Sequence, residues 1–443
     1  MPFPNTMTMN RRILAIALPS IVTNITVPLL GLIDITIAGH LGRTEYIGAI
    51  AVGAMMFNLI YWNFGFLRMG TAGMTAQAFG RNDAEAQASI LARATALAAI
   101  IAAAILLLQI PLRWIMLRAV NPSDEVAQLA RTYFNICVWG APAMLIDMAL
   151  KGWFIGMQDS RTPMFMAIGI NIANICTSLA AVFLLDMGFA GIATGTVIAE
   201  YAGMAYGIGI ILHRHKRLTG LLDRKRVFVP KEIKRFFSIN GDIFLRSACL
   251  MLVNLFFVSV GARSGDVTLA VNALIMQLFT LYSYFMDGFA FSGEALAGRY
   301  SGARDKHNLG SSIKHIFGWG VAVAATFTIA YAIGAKHIFG FITDNATVIA
   351  EALDYRWWCV AIPAAGMAGF VWDGVYIGLT ATREMLVTIV ISCATFFALY
   401  FIMPASMGND KLWLAFVAYL AMRGISQTAV FRHRIKSRID QWQ

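Results

Sequence analysis

The sequence predicts an all-α polytopic membrane protein with twelve transmembrane helices. Of its 443 residues, 58% are hydrophobic and only 13% are charged, whereas soluble domains carry about 25% charged residues. The mean hydropathy of +0.67 points the same way. Apolar runs fill the whole chain, which excludes a soluble enzyme with a single anchor. At roughly 20 apolar residues per span plus short loops, the length allows about twelve helices.

The distribution of basic residues predicts the orientation of these spans. The longest connection, 213–235, contains nine Lys and Arg residues, and 431–438 contains four more. Connections on the opposite side, such as 185–191 and 406–411, carry one or none, whereas 111–120, with two, is an exception. By the positive-inside rule, both termini and the 213–235 connection face the cytoplasm. The expected spans are 12–38, 48–77, 88–112, 126–156, 163–186, 189–213, 236–261, 267–298, 309–335, 347–378, 384–406 and 411–431.

The charge and the cysteines exclude several other classes of protein. Although the net charge is +11, its confinement to loops on one side of the membrane predicts no nucleic-acid partner. The five cysteines lie in or beside apolar segments and form no Cys-x-x-Cys pair, so neither a zinc site nor a disulfide framework is expected. No Walker lysine motif occurs, so ATP is not expected to drive the protein directly. We therefore expect no cofactor.

The two halves of the chain carry a repeat. Residues 141–164 match 362–385, and both segments contain the pattern Gly-x-aromatic-Ile-Gly followed by an arginine. The tetrapeptide AVGA at 51–54 likewise corresponds to AVNA at 270–273. An even number of spans separates the copies, so the two halves are expected to be parallel six-helix bundles related by a pseudo-twofold axis. Tandem repeats of this kind place a substrate cavity between two halves that rock to give alternating access.

The repeat sets the expected domain boundaries. We expect an N-terminal six-helix lobe at 1–213, a basic cytoplasmic linker at 214–235 and a C-terminal six-helix lobe at 236–443.

The first span carries an acidic residue next to a weak point of its helix. Pro28 has no backbone N–H, so it leaves the carbonyl of Asn24 without its usual helical partner. Asp34 lies just under two turns further on, and an ionisable group inside a span indicates a functional site. An alternative stays open, because Asp34 lies about 30 Å along the helix from Ile13 and could be hydrated at the outer interface. In the second half Phe256 corresponds roughly to Asp34, so the two halves differ in chemistry.

Six segments of the chain share a sequence pattern with a known family, namely 24–42, 66–80, 152–158, 196–201, 286–298 and 372–385. They resemble the MATE family of multidrug and toxic compound extrusion transporters, and more narrowly its DinF-like branch. The resemblance implies a MATE fold in the bacterial inner membrane, efflux of organic compounds and coupling to inward movement of H⁺ or Na⁺.

The resemblance also implies a coupling site around Asp34. In this family the first helix of the N-terminal half carries a proton- or cation-binding aspartate, which Asp34 matches. Tyr133, Asn174 and Thr196 match polar residues on the fourth, fifth and sixth helices. Ser178 stands where DinF-like proteins often carry a second carboxylate, so the coupling is expected to rest on Asp34. Glu200 could partly replace the missing acid, and Asp34 would be a metal ligand only if the coupling ion is Na⁺.

Further charged residues of the N-terminal half are expected to be counter-charges. Asp147 and Lys151 stand four residues apart on one helix and can form an ion pair. The pair could simply fix helix packing, or Lys151 could respond to protonation of Asp34 or Asp147. Arg68 in the second span is expected to be a structural counter-charge, with Glu200 as a possible partner.

The C-terminal half carries a second set of candidates. Asp287, Glu294 and Asp373 are intramembrane acids, and isolated carboxylates are costly there. Arg246 is therefore expected to pair with at least one of them, and it could also pair with Asp242, four residues earlier. In another MATE branch an aspartate on the tenth helix binds cations, and Asp373 resembles it in position. Coupling and a structural network stay open for this set.

These observations favour a secondary-active antiporter that exports organic, cationic or amphipathic compounds in exchange for H⁺ or Na⁺. The expected partners are drug-like small molecules and the lipid bilayer, and the expected state is a monomer. A flippase for lipid-linked precursors, with a related fold, is the alternative. It would require a basic central cavity, whereas the intramembrane acids here at least match the bases. An enzyme is not expected, because no nucleophile–histidine pair occurs within the spans.

Overall fold

A computed structural model describes residues 7–221, 227 and 229–442, and it confirms the all-helical prediction. Twelve helices are long and apolar enough to cross a membrane. We number them α1 to α12 in chain order. They are Met9–Gly39, Thr44–Gly80, Ala84–Leu107, Asp124–Gly156, Arg161–Leu184, Phe189–Arg214, Pro230–Arg263, Asp266–Gly302, Lys306–Ile342, Arg356–Gly378, Thr382–Ile402 and Asp410–Asp440.

Two shorter helices differ from the sequence prediction. Residues 111–120 were expected to be a connection, but Gln109–Val120 is helical. The tenth span was expected to begin at 347, but a separate helix, Ala346–Asp354, precedes α10. The side chain of Asn345 accepts hydrogen bonds from the backbone N–H groups that start this short helix, as an N-cap residue does.

Several of the long helices contain irregular turns. A 3₁₀ turn, Val138–Gly140, interrupts α4, and a π turn, Ala180–Leu184, ends α5. In contrast, α1 is one continuous helix across Pro28. Here the carbonyl of Thr26 accepts a hydrogen bond of 3.0 Å from the side-chain amide of Asn171, so a neighbouring helix supplies a donor beside the proline.

The chain forms two compact units. One comprises the described part of Met1–Ile21 together with Gly241–Gln443, and the other comprises Val22–Asn240. The boundaries fall inside α1 and α7, so each of these helices contributes to both units. The expected linker 214–235 lies partly outside the described residues, namely at 222–226 and 228.

The repeated glycines pack corresponding helices closely in the two units. A Cβ atom added at Gly152 of α4 would lie 2.2 Å from the carbonyl oxygen of Arg68 in α2. A Cβ atom added at Gly374 of α10 would lie 2.0 Å from the carbonyl oxygen of Ala290 in α8. Because both distances are far below van der Waals contact, each pair of helices requires glycine at its crossing. The sequence repeat is therefore also a repeat of helix packing.

Candidate functional site

Asp34 lies deep inside the unit Val22–Asn240. Its side chain is 2% exposed, so the structure does not support a hydrated aspartate at the outer interface. Buried apolar residues of α1, α2, α4 and α6 pack nearby, among them Ile37, Ile50 and Ile192. A carboxylate removed from water in this way needs donors or a counter-charge from the protein.

Three side chains donate hydrogen bonds to Asp34, and all three were predicted through the family resemblance. The hydroxyl of Thr196 on α6 lies 3.1 Å from Oδ2, and the hydroxyl of Tyr133 on α4 lies 3.4 Å from the same oxygen. The side-chain amide of Asn174 on α5 lies 3.3 Å from Oδ1 and 3.0 Å from the Thr196 hydroxyl. Four helices thus converge on one carboxylate.

Packing against α2 fixes the position of Tyr133. A Cβ atom added at Gly53 would lie 2.4 Å from the Tyr133 ring, so the ring rests on the helix backbone. The rings of Phe57 and Phe189 lie 6.5 Å and 6.3 Å from it, centroid to centroid. A side chain held by backbone and aromatic contacts keeps its hydroxyl directed at Asp34 without large rearrangement.

The hydrogen-bond donors of Asp34 carry no positive charge. Among the described residues it makes no ion pair, and its three donors are electrically neutral. In addition, the side-chain oxygen of Asn174 is buried without a hydrogen-bond partner. The cluster therefore offers oxygen atoms of Asp34, Tyr133, Thr196 and Asn174 to an incoming positive species. Such a set fits a proton, and it also fits Na⁺, which binds oxygen ligands.

Ser178 on α5 and Glu200 on α6 do not form a hydrogen bond with Asp34. The hydroxyl of Ser178 donates to the carbonyl of Ile192 at 3.4 Å, and a Cβ atom at Gly195 would lie 2.2 Å from that hydroxyl. Ser178 therefore joins α5 to α6. Glu200 forms no ion pair among the described residues, so the possible Arg68–Glu200 pair is not observed there.

The Asp147–Lys151 pair forms as predicted. The lysine Nζ lies 2.5 Å from Asp147 Oδ2, and the two side chains are 18% and 4% exposed. The other carboxylate oxygen of Asp147 is buried without a hydrogen-bond partner. Glu200 interacts electrostatically with both members of this pair, so it belongs with Asp147 and Lys151 in the structure.

Asp373 on α10 is the centre of a second buried cluster, in the unit that contains Gly241–Gln443. The guanidinium groups of Arg246 and Arg423 both bond to Oδ2, the second at 2.6 Å. Gln427 donates to Oδ1 at 2.7 Å. All four residues are at most 5% exposed, so two arginines fully compensate the carboxylate.

The expected pairing of Arg246 with an intramembrane acid is confirmed, but its pairing with Asp242 is wrong. Asp242 instead accepts a hydrogen bond of 3.0 Å from Thr382 and lies 3.7 Å from Arg383. Arg246 pairs with Asp373, whose carboxylate is the more deeply buried of the two, with a side chain 8% exposed against 12% for Asp242, because a buried charge needs a partner.

Sequence reasoning missed Arg423 and Gln427 on α12. Arg423 lies within the expected twelfth span, and a charge at such a position was the signal that could have identified it. Asp287 interacts electrostatically with Arg423. Glu294 is 1% exposed, and its carbonyl packs against Gly378 of α10.

Known proteins resemble this chain in both sequence and fold. The MatE family model matches residues 19–180 and 243–402. DNA damage-inducible protein F of Escherichia coli (strain K12) is 36% identical, over 94% of this chain and 91% of its own length. The probable multidrug resistance protein NorM of Photorhabdus laumondii is 21% identical, over 76% of this chain and 75% of its own length.

Solved structures show the same fold. The Vibrio cholerae MATE transporter VcmN in its bent form aligns with a TM-score of 0.86 at 15% identity, over 98% of this chain and 99% of that chain. A MATE structure in the bent conformation aligns with a TM-score of 0.84 at 17% identity, over 98% and 96%. Together with the family match in both halves, these likenesses establish that the chain belongs to the MatE family of multi-pass membrane transporters, which are not enzymes.

Proposed function

We propose that this protein is a secondary-active antiporter that exports organic, cationic or amphipathic compounds in exchange for protons, with Asp34 as the proton-binding group. The observation that carries the proposal is a buried carboxylate with three neutral donors and no cationic partner among the residues that the structure describes. When such a carboxylate is protonated, no buried cation loses its counter-charge. A change of charge at one buried site is what couples an ion gradient to a conformational equilibrium.

The donor set favours H⁺ over Na⁺ as the coupling ion. Asp34 is the single carboxylate of its cluster, and the amide group of Asn174 directs its nitrogen at Asp34 Oδ1. A sodium site would need several oxygen ligands around the ion, so Asn174 would have to turn its oxygen inward. A proton needs one oxygen of Asp34 and a hydrogen-bond acceptor such as the hydroxyl of Thr196.

The transported compounds are proposed from the relatives. The NorM relative bears the printed description of a probable multidrug resistance protein, which supports efflux of chemically varied organic molecules. We further propose that the protein works as a monomer in the bacterial inner membrane with both termini in the cytoplasm. The excess of basic residues in 213–235 and 431–438 supports this orientation.

Transport by the purified full chain in lipid vesicles tests the proposal. A fluorescent organic cation is loaded, and either a pH gradient without Na⁺ or a Na⁺ gradient at constant pH is imposed. Proton antiport predicts that the pH gradient drives transport and that the Na⁺ gradient alone does not. Transport driven by Na⁺ alone would overturn the choice of ion, and transport that responds to neither gradient would overturn antiport itself.

A further inference from the structure

An apolar groove lies between α3, α4 and α6 within the unit Val22–Asn240. Its volume is about 490 Å³. Ala88, Ala92 and Ala96 are spaced four residues apart and form its floor on one face of α3, over about 12 Å. Leu150 on α4 forms part of the wall, and Leu212 on α6, which is 56% exposed, borders the open side.

The polar side chains along this groove are already bonded inside the protein. The hydroxyl of Thr95 donates to the carbonyl of Leu91 at 2.9 Å. The indole N–H of Trp153 donates to the carbonyl of Gln87 at 3.0 Å. The groove therefore offers apolar contacts along its length, which suits a hydrocarbon chain better than a polar solute.

One end of the groove adjoins a basic cavity of about 750 Å³. Leu218 lines both spaces, and the segment 213–217, of sequence His-Arg-His-Lys-Arg, lines the second. Arg214 and Arg217 are exposed and make no ion pair with any described residue. Burial lowers the pKa of His215, so the arginines and Lys216 carry most of the positive charge of this segment.

Asp159 is an acid among the described residues that faces this cluster. Asp159 interacts electrostatically with His215. Its carboxylate oxygens accept bonds from the backbone N–H groups of Arg161 and Thr162 and from the Thr162 hydroxyl. The carboxylate is thus engaged at the start of α5, and the basic segment keeps a net positive charge.

We propose that the groove and the basic segment together bind one anionic phospholipid from the leaflet beside residues 213–217. Its acyl chain lies along Ala88, Ala92 and Ala96, and its phosphate contacts Arg214 and Arg217. The charge at the mouth complements a phosphate, and the apolar floor complements a hydrocarbon chain. A soluble phosphate would contact only the arginines at the mouth of the groove and leave the apolar floor empty. A zwitterionic lipid would be attracted less strongly by the arginines than an anionic one.

Retention of lipid by the purified full chain tests the headgroup site. The protein in mild detergent is mixed with equal amounts of phosphatidylglycerol and phosphatidylcholine, and bound lipids are counted by native mass spectrometry. The wild type is expected to retain phosphatidylglycerol preferentially. Arg214→Gln with Arg217→Gln should weaken this preference on the order of fivefold for each arginine. The matched control is Arg432→Gln with Arg434→Gln, which removes the same charge from exposed positions of α12.

A second variant tests the groove. Ala92→Phe fills the floor, whereas Ala99→Phe places the same ring at an exposed position of α3 outside the groove. The first is expected to lose retained phosphatidylglycerol and the second to keep it, with both thermal transitions measured to show folding.

Equal retention of the two lipids by the wild type would overturn the proposal. The proposal would also be overturned if the groove and arginine variants retained as much phosphatidylglycerol as their controls. It would likewise be overturned if millimolar inorganic phosphate displaced the lipid as completely as excess phosphatidylglycerol does. The measurement involves no transport, so its result is independent of the proposed antiport.

Discussion

Asp34 and Asp373 are both buried carboxylates, but their surroundings differ in charge. Three neutral groups donate to Asp34, whereas two arginines and a glutamine donate to Asp373. Protonation of Asp34 would remove an uncompensated buried charge. Protonation of Asp373 would leave two buried guanidinium groups without a counter-charge, which would lower the stability of the fold. The comparison supports the proposal that Asp34 is the ion-coupling acid, and it favours a structural role for Asp373.

The same contrast separates the two halves of the sequence repeat. The glycine crossings at Gly152 and Gly374 are alike, so the helix scaffold is repeated. Phe256, which corresponds roughly to Asp34, instead packs against the rings of Phe397 and Tyr400 at 5.1 Å and 5.0 Å. Repeated packing is therefore compatible with divergent chemistry.

Removal of the Asp373 charge should cause the largest loss of stability. Asp373→Asn leaves Arg246 and Arg423 without a counter-charge, and breaking a buried ion cluster costs about 3–5 kcal/mol of unfolding free energy. Thermal unfolding in detergent measures the change. Asp242→Asn is the control, because its arginine partner Arg383 is 75% exposed and such pairs contribute less than about 1 kcal/mol. Equal stability of the two variants would contradict the structural role of Asp373.

Removal of the Asn174 amide should impair proton-driven transport. A hydrogen bond to a charged group contributes about 1.5–3 kcal/mol, and the 3.3 Å length of this one favours the lower end. Asn174→Ala is therefore expected to slow proton-driven efflux about tenfold. Asn171→Ala is the matched control, because Asn171 bonds to Thr26 and Ala167 and not to Asp34. A rate for Asn174→Ala equal to that of the control would remove Asn174 from the site.

The Tyr133 hydroxyl should contribute least of the three donors. Its 3.4 Å separation from Asp34 is longer than a usual hydrogen bond, so Tyr133→Phe should slow efflux less than about threefold. Tyr61→Phe, at another buried tyrosine, serves as the control. A loss of tenfold or more in Tyr133→Phe alone would show that the hydroxyl approaches Asp34 more closely during transport.

The sequence predicted the twelve spans, the Asp34 cluster and the pairing of Arg246 with an intramembrane acid, but it missed Arg423 and Gln427 of the Asp373 cluster. Apolar length alone defines spans, so the expected 189–213 agrees with Phe189–Arg214. The family resemblance predicted the three donors Tyr133, Asn174 and Thr196. Spacing along the sequence could not predict them, because they lie on three different helices. Arg423 was missed because its partner lies 50 residues away on another helix. Local pairing rules favoured Asp242 for Arg246, yet tertiary packing decided the partner.

Proton-driven transport by Asp34→Asn shows whether Asp34 binds the coupled proton. The variant is compared in vesicles with wild type and with Asp186→Asn, which makes the same chemical change at an exposed turn where φ is 51° and asparagine is well tolerated. Thermal unfolding shows that each protein is folded. We expect Asp34→Asn to abolish pH-driven efflux and to remain at least as stable as wild type, and we expect Asp186→Asn to transport normally. Efflux by Asp34→Asn at the wild-type rate under the same pH gradient would contradict this role of Asp34.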